Sequence, residues 1–205
     1  MIPLSEEKKI GTEKTIVKAG EVFERALLFD LSEGEKSEQF FDLELHDGAV
    51  CEMNIFVRGE GECIINRTVN VLGDDATLRF RVFGETQKNS NVSLSDDVSV
   101  IGERSVIDLC TKIVLMDDAK SGVRQRVSLL PSAHGANARQ RIDHLLLGER
   151  ARAEGIPELD VRLDDVTCSH AATISKPGDD AMFYLLSRGL SRSDAEKSFV
   201  HGFLV

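Results

Sequence analysis

From about Thr12 to Ile174 the chain alternates apolar and polar residues in one short run after another. ALLFDL (26–31), CEMNIFV (51–57), CIINRTVNVL (63–72), ATLRFRVFG (76–84), SVIDLCTKIVL (105–115), VRQRVSLL (123–130) and RIDHLLL (141–147) carry the pattern. Successive side chains of a strand point to opposite faces, so a period of two predicts strands with one buried face. Gly48, Gly59, Gly61, Gly73, Gly84, Gly102, Gly122 and Gly135 break the runs, and no helical stripe interrupts them. A sandwich, a barrel and a β-solenoid all satisfy this pattern. Several runs open on a turn pair ending in alanine, at Gly48-Ala49, Asp75-Ala76, Asp118-Ala119 and Gly135-Ala136. Such entries suit the tight corners of a solenoid, but their irregular spacing gives no clean repeat, which leaves sandwich and solenoid even.

After Ile174 the character changes. Pro177-Gly178 stops the last strand, and Asp179-Asp180 opens a helix with carboxylates at its positive end. Met182, Phe183, Leu185 and Leu186 are its apolar residues, and Gly189 is a natural stop. Ser191, with Asp194 three residues on, predicts the start of a second helix whose Ala195, Phe199 and Phe203 form one stripe. The expected organisation is a β core over residues 12–176 and a helical hairpin over residues 177–205.

Composition narrows the function classes. The 205 residues, 41% of them hydrophobic, suffice for one domain with a real core. Lysine plus arginine number 25 against 35 acidic residues, a net charge of −10, which argues against nucleic acid as a partner. There is no long apolar run for a membrane span, and MIPLSEEKK lacks the apolar core of a signal peptide, so a cytoplasmic location is expected. Cys51, Cys63, Cys110 and Cys168 are widely spaced and read as free thiols, the first three as small buried core residues. No GxxxxGK[ST] loop is present, so any ATP hydrolysis must come from a partner.

The densest chemistry lies in DDVTCSHAAT (164–173). In a strand, residues i and i+2 share a face, so Cys168 and His170 project side by side. Thiolate and imidazole together suit zinc, copper or iron-sulfur chemistry, but two ligands leave a site open. The bland alternative is a packed Cys168 and a His170 at a strand edge without a ligand role. Glu154 is a further candidate oxygen ligand, or else a solvated turn carboxylate, and Pro157 fits a corner between coils. His134 and His144 read as surface or satisfied-core histidines. The acidic pairs Asp74-Asp75, Asp96-Asp97, Asp117-Asp118 and Asp164-Asp165 read as solvated corners.

QRIDHLLLG (140–148), ARAEGIPELDV (151–161), DDVTCSHAATISK (164–176), FYLLSRGLS (183–191) and the closing Gly202-Phe203 occur in an order that resembles the SufB/SufD family, the scaffold subunits of the Suf system for iron-sulfur cluster assembly. The resemblance runs from about Ala138 to Phe203. It implies a right-handed parallel β-helix core, which decides the choice left open above. It also implies a non-catalytic scaffold working with a SufC-like ABC ATPase and a further SufB/SufD-type subunit, or a second copy in a homodimer. The implied cofactor is an iron-sulfur cluster shared with a partner subunit, with none bound by the isolated chain. Carried across residue by residue, His170 is the leading candidate at the subunit interface, with Cys168 its neighbour and Glu154 a tentative third. The FYLLSRGLS region, through Phe183, Tyr184, Leu185, Leu186 and Arg188, is the implied docking surface for the ATPase.

The chain departs from the SufB pattern at two points. Ile142 stands where SufB carries its assembly cysteine, and Ala171 stands where SufB tends to have glutamate. Losing that thiolate removes the main assembly chemistry, so the chain is similar to SufD at its CSH motif, although ATISK is similar to the ATTSK of SufB. Family members usually carry an N-terminal helical domain and further helix after the terminal Gly-Phe, so a short, minimal or degenerate member is expected. Two rival readings stand beside the scaffold: a structural protein of the same fold without cluster chemistry, and a β-solenoid enzyme acting on carbohydrates through paired acidic side chains.

Overall fold

The computed structural model describes residues 4–6 and 10–204. Within them run the strands β1 (Leu4–Glu6), β2 (Ile10–Val17), β3 (Val22–Leu31), β4 (Lys36–Leu45), β5 (Val50–Gly59), β6 (Glu62–Val71) and β7 (Thr77–Thr86). There follow β8 (Asn91–Val100), β9 (Val106–Leu115), β10 (Lys120–Leu129), β11 (Asn137–Leu146), β12 (Arg152–Val161) and β13 (Thr167–Ser175). Helices α1 (Asp179–Ser187) and α2 (Arg192–Leu204) close the chain. The odd-numbered strands form one sheet in chain order and the even-numbered strands a second. Neighbours are parallel throughout, as between β5 and β7 or β8 and β10. Each strand turns a corner into the facing sheet and returns one rung on. The fold is therefore a parallel β-solenoid of about six turns with two C-terminal helices. A face-packed sandwich of antiparallel hairpins is excluded.

The corners explain why no clean repeat is visible in the sequence. Register partners lie 26 residues apart from Lys36 to Glu62 and 32 apart from Lys120 to Arg152, so the strands repeat while the corners vary in length. Ala49, Ala76, Ala119 and Ala136 are buried at corner exits, where a larger side chain would have no room. Gly102 packs so closely on the coil before it that a Cβ would lie 1.8 Å from the carbonyl oxygen of Gly73. Corner carboxylates also tie coils together: Asp47 Oδ1 accepts the Asp74 N–H at 3.0 Å, and Asp74 Oδ1 accepts the Glu103 N–H at 2.9 Å.

Inward-facing residues stack in columns along the axis. Leu27, Ile55, Val82, Thr111, Ile142 and Ala172 form one such column across the odd-numbered sheet. Each fully buried aliphatic side chain in it contributes about 1.5–3 kcal/mol. The even-numbered sheet carries Phe41, Arg67, Asp96, Gln125 and Pro157 in the matching place. Asp96 is thus mid-strand and buried, where a solvated corner was expected. Its partner on the adjoining rung makes this tolerable, since Arg67 Nε lies 2.6 Å from Asp96 Oδ1 and Nη2 2.9 Å from Oδ2. Gln125 Nε2 donates to Asp96 Oδ2 at 3.0 Å, and the Arg67 guanidinium lies 4.1 Å from the centroid of Phe80.

The hairpin forms as its caps dictate. The N–H of Asp194 donates to Ser191 Oγ at 3.1 Å, and Gly189, at a φ of +90°, ends α1. The hairpin does not cover the open end of the solenoid. Instead α2 lies beside β9, where Lys112 Nζ donates to the Phe203 carbonyl at 2.8 Å.

Removing one member of the buried pair strands a charge, so Asp96→Leu is expected to destabilise the fold by about 3–5 kcal/mol. Arg67→Met combined with Asp96→Leu removes both charges, and its urea midpoint should lie well above that of the single variant. A second expectation concerns His144, which is fully buried and accordingly held neutral, its pKa lowered by burial from 6.5 to about 4. The unfolded chain then binds the extra proton between those values. The stabilisation is complete above about pH 6.5 and declines towards pH 4, by roughly 3 kcal/mol in all. Urea titrations of the wild type and His144→Leu across this window should show a shallower pH slope in the variant.

Candidate functional site

The solenoid ends at β12 and β13, the terminal strands of their sheets. On β13, Cys168 stands in register with Ala138, His170 with Gln140, Ala172 with Ile142 and Ile174 with His144. All four partners on β11 are buried and point into the lumen, so Cys168 and His170 lie on the inward face. No further coil covers that face among the described residues. Cys168 is half-buried against the core, whereas His170, Ala172 and Ile174 are exposed. The two side chains therefore share an open surface, with Cα atoms roughly 7 Å apart from the strand rise. Burial pushes the Cys168 thiol above its ordinary value, with the backbone hydrogen bond to Ala138 opposing. In the isolated chain it is a protonated thiol at neutral pH, a weak nucleophile and a poor ligand.

Across the lumen, β12 closes in through Gly155. A Cβ there would come 3.0 Å from Ile142 Cγ2 and 3.7 Å from Ala172 Cβ, so glycine lets the sheets converge at the mouth. Because Ala153 and Gly155 point inward, Glu154 between them points outward and is exposed. Strand alternation thus separates Glu154 from the Cys168–His170 face. Among the described residues no group of three histidine, cysteine or acidic side chains is placed to hold a metal. Pro157 lies mid-strand in β12, not at a corner. The N–H groups of Arg152 and Arg162 donate to Ala119 and Leu129 of the β10 edge. By the same parity the nitrogen of Pro157 faces the open edge, where no donor is needed.

The remaining candidates fall elsewhere. Ile142 is fully buried one rung beneath Ala172. Cys51 and Cys63 are core residues whose thiols burial pushes up to about 12. Cys110 differs from the expected buried residue: it is half-exposed on the outer face, between Arg81 and Arg141 on the adjoining rungs. His134 is an exposed corner residue 2.9 Å from an Asp165 carboxylate oxygen. Of the acidic pairs, Asp96 is locked in the core and Asp118 is paired with Arg150, so they line no common face.

Helix α1 buries none of its residues. Phe183, Tyr184 and Leu186 are 73%, 55% and 39% exposed, Leu185 is half-buried, and Arg188 stacks 5.2 Å from the Tyr184 ring centroid. These exposed apolar and aromatic side chains are carried by one short helix.

Sequence reading missed the polar file beneath the mouth. Gln125 and Gln140 occupy inward positions otherwise filled by aliphatic residues, and Gln140 Nε2 donates to the backbone carbonyls of Gln125 and Glu158. The available signal was phase: in VRQRV and ARQRI the glutamines fall on the same parity as the apolar residues.

The comparisons bear on this geometry directly. Residues 37–203 match the family described as SUF system FeS cluster assembly, SufBD core domain. The chain is 25% identical over 166 residues to the iron-sulfur cluster assembly protein SufD of Escherichia coli, covering 79% of this chain and 38% of that protein. It is 29% identical over 155 residues to SufD of Bacillus subtilis, covering 75% and 35%. A SufBD family protein of Mycobacterium tuberculosis is 35% identical over 97 residues, covering 47% and 12%. The chain thus spans well under half the length of each. With the matched residues including every strand from β5 to β13 and most of the hairpin, the chain belongs to the SufB/SufD family.

Proposed function

We propose that this chain is a non-catalytic scaffold component of iron-sulfur cluster assembly. It would present Cys168 and His170 at a junction completed by a second subunit. The observation that carries the reading is the uncovered inner face of β13 in a chain of this family. A half-buried thiol and an exposed imidazole are offered there on an edge strand whose free backbone groups invite pairing. The covering partner would be another SufB/SufD-type subunit or a second copy of this chain. The cluster is cargo assembled between subunits, since two side chains and a protonated thiol leave coordination incomplete. The α1 surface would dock an ABC-type ATPase, which supplies the nucleotide chemistry.

A second reading is favoured by Ile142. A buried aliphatic residue holds the place of the SufB thiol, which suits a structural subunit that keeps the fold and the partners without touching the cluster.

Anaerobic reconstitution with iron and sulfide separates the two. Within the assembled complex, His170→Ala is expected to lower cluster absorbance sharply while leaving the unfolding free energy within about 0.5 kcal/mol, as for an exposed residue. Wild-type cluster yield from that complex would leave the structural subunit as the correct description. Phe183→Ala together with Leu186→Asp should abolish co-purification with the ATPase, at about 2 kcal/mol or more per anchor lost. Retained binding with native circular dichroism would refute the docking role.

A further inference from the structure

Gln140 lies one rung beneath His170 on the same inner column. Its side chain is 1% exposed, and one end of its amide is committed. Nε2 donates to the Gln125 carbonyl at 3.0 Å and to the Glu158 carbonyl at 3.2 Å, both on the opposite sheet. Carbonyl oxygens only accept, so the end facing them must be the NH₂ group. The other end, Oε1, is therefore an acceptor, and it is buried without a donor. A buried acceptor left unpaired is costly, and in native proteins it marks a place where a donor arrives.

The donors around it narrow the choice. The side-chain amide of Gln125 is already engaged by Asp96 and by Thr111 Oγ1. On the rung above, the register partner is His170, whose ring has no hydrogen-bond partner among the described residues. A neutral imidazole carries one N–H and one lone pair, and whatever accepts the N–H decides which nitrogen keeps the lone pair. Histidines that bind metals are usually held this way by a carbonyl or carboxylate on the far nitrogen.

The geometry points to Gln140 as the positioning residue of this face. Its Oε1 accepts the ring N–H of His170 that turns into the lumen. The other ring nitrogen then faces out of the mouth with its lone pair free for an electrophilic metal centre. A neutral amide in this place selects the tautomer without adding a counter-charge to the site. In the structure the ring of His170 is exposed and Gln140 Oε1 is still unpaired, so the contact forms when the ring turns inward over its register partner. Its use in cluster assembly rests on the scaffold role proposed above, whereas the contact itself belongs to the isolated chain.

The test is ¹⁵N-edited NMR of the histidine-labelled full chain at neutral pH. His170 should show one tautomer, with a ring N–H protected roughly tenfold against exchange and a nuclear Overhauser effect to the Gln140 γ-methylene. A mixed tautomer population without that effect in the wild type overturns the proposal, whatever any variant does. Gln140→Met keeps the side-chain length and removes the acceptor; it should restore mixed tautomers while the β13 backbone amide shifts stay in place. Unchanged His170 spectra in a folded Gln140→Met chain would also overturn it. Full cluster yield from a His170→Ala complex, beside the expected wild-type spectra, would instead overturn the scaffold role and leave the Gln140–His170 contact standing.

Discussion

In a parallel solenoid the inner face of a strand is covered by the facing sheet and by the coils stacked on either side of it. Everything distinctive about this chain depends on that constraint. Ala138, Gln140, Ile142 and His144 are buried between β9 and β13 and against the facing sheet. One rung further, Cys168 is half-buried and His170, Ala172 and Ile174 are exposed. The sheet and the facing direction are the same, but among the described residues no further coil stacks on β13. The surface at which a partner would have to act is thus a core surface that the fold leaves uncovered, and it comes preformed on rigid backbone.

The same constraint accounts for the polar interior. Columns in register bring side chains from adjoining rungs within hydrogen-bond reach, so a charge in the lumen is tolerable when the next rung supplies its complement. Arg67 and Asp96 meet this condition with two hydrogen bonds, and Gln125 extends the pairing to the odd-numbered sheet through Thr111. Not every lumen atom finds such a complement: Arg67 Nη1 in the middle of the solenoid and Gln125 Oε1, Gln140 Oε1 and His144 Nδ1 nearer the mouth are buried without a hydrogen-bond partner. The last coil, held from one side alone, is also the part of the core expected to open most readily.

The helical hairpin is placed by a different logic. Its contact with the solenoid runs through α2 and β9, with Lys112 reaching the Phe203 carbonyl. This leaves α1 without a buried residue and the mouth uncovered. Two separate surfaces result, one aromatic and helical on α1, the other the inner face of the edge strand β13.

Much of this was legible in the chain itself. Period-two alternation placed the strands, Ser191 with Asp194 and Gly189 placed the helix ends, and the parity of Cys168 and His170 put them on one face. All of these rest on interactions a few residues apart, which is why they can be read in one dimension. Corner lengths vary from coil to coil, so the solenoid itself followed from family resemblance and not from a repeat. What lay beyond the sequence depends on which residue falls on the next rung, 22 to 32 positions away. That distance hid the pairing of Asp96 with Arg67, the outward turn of Cys110 between two arginines and the placement of Gln140 beneath His170. It also hid the separation of Glu154 from the Cys168–His170 face. Local alternation determined which side chains face inward; only the stacking of coils decided what they meet there, and at β13 that, among the described residues, no further coil stacks on them.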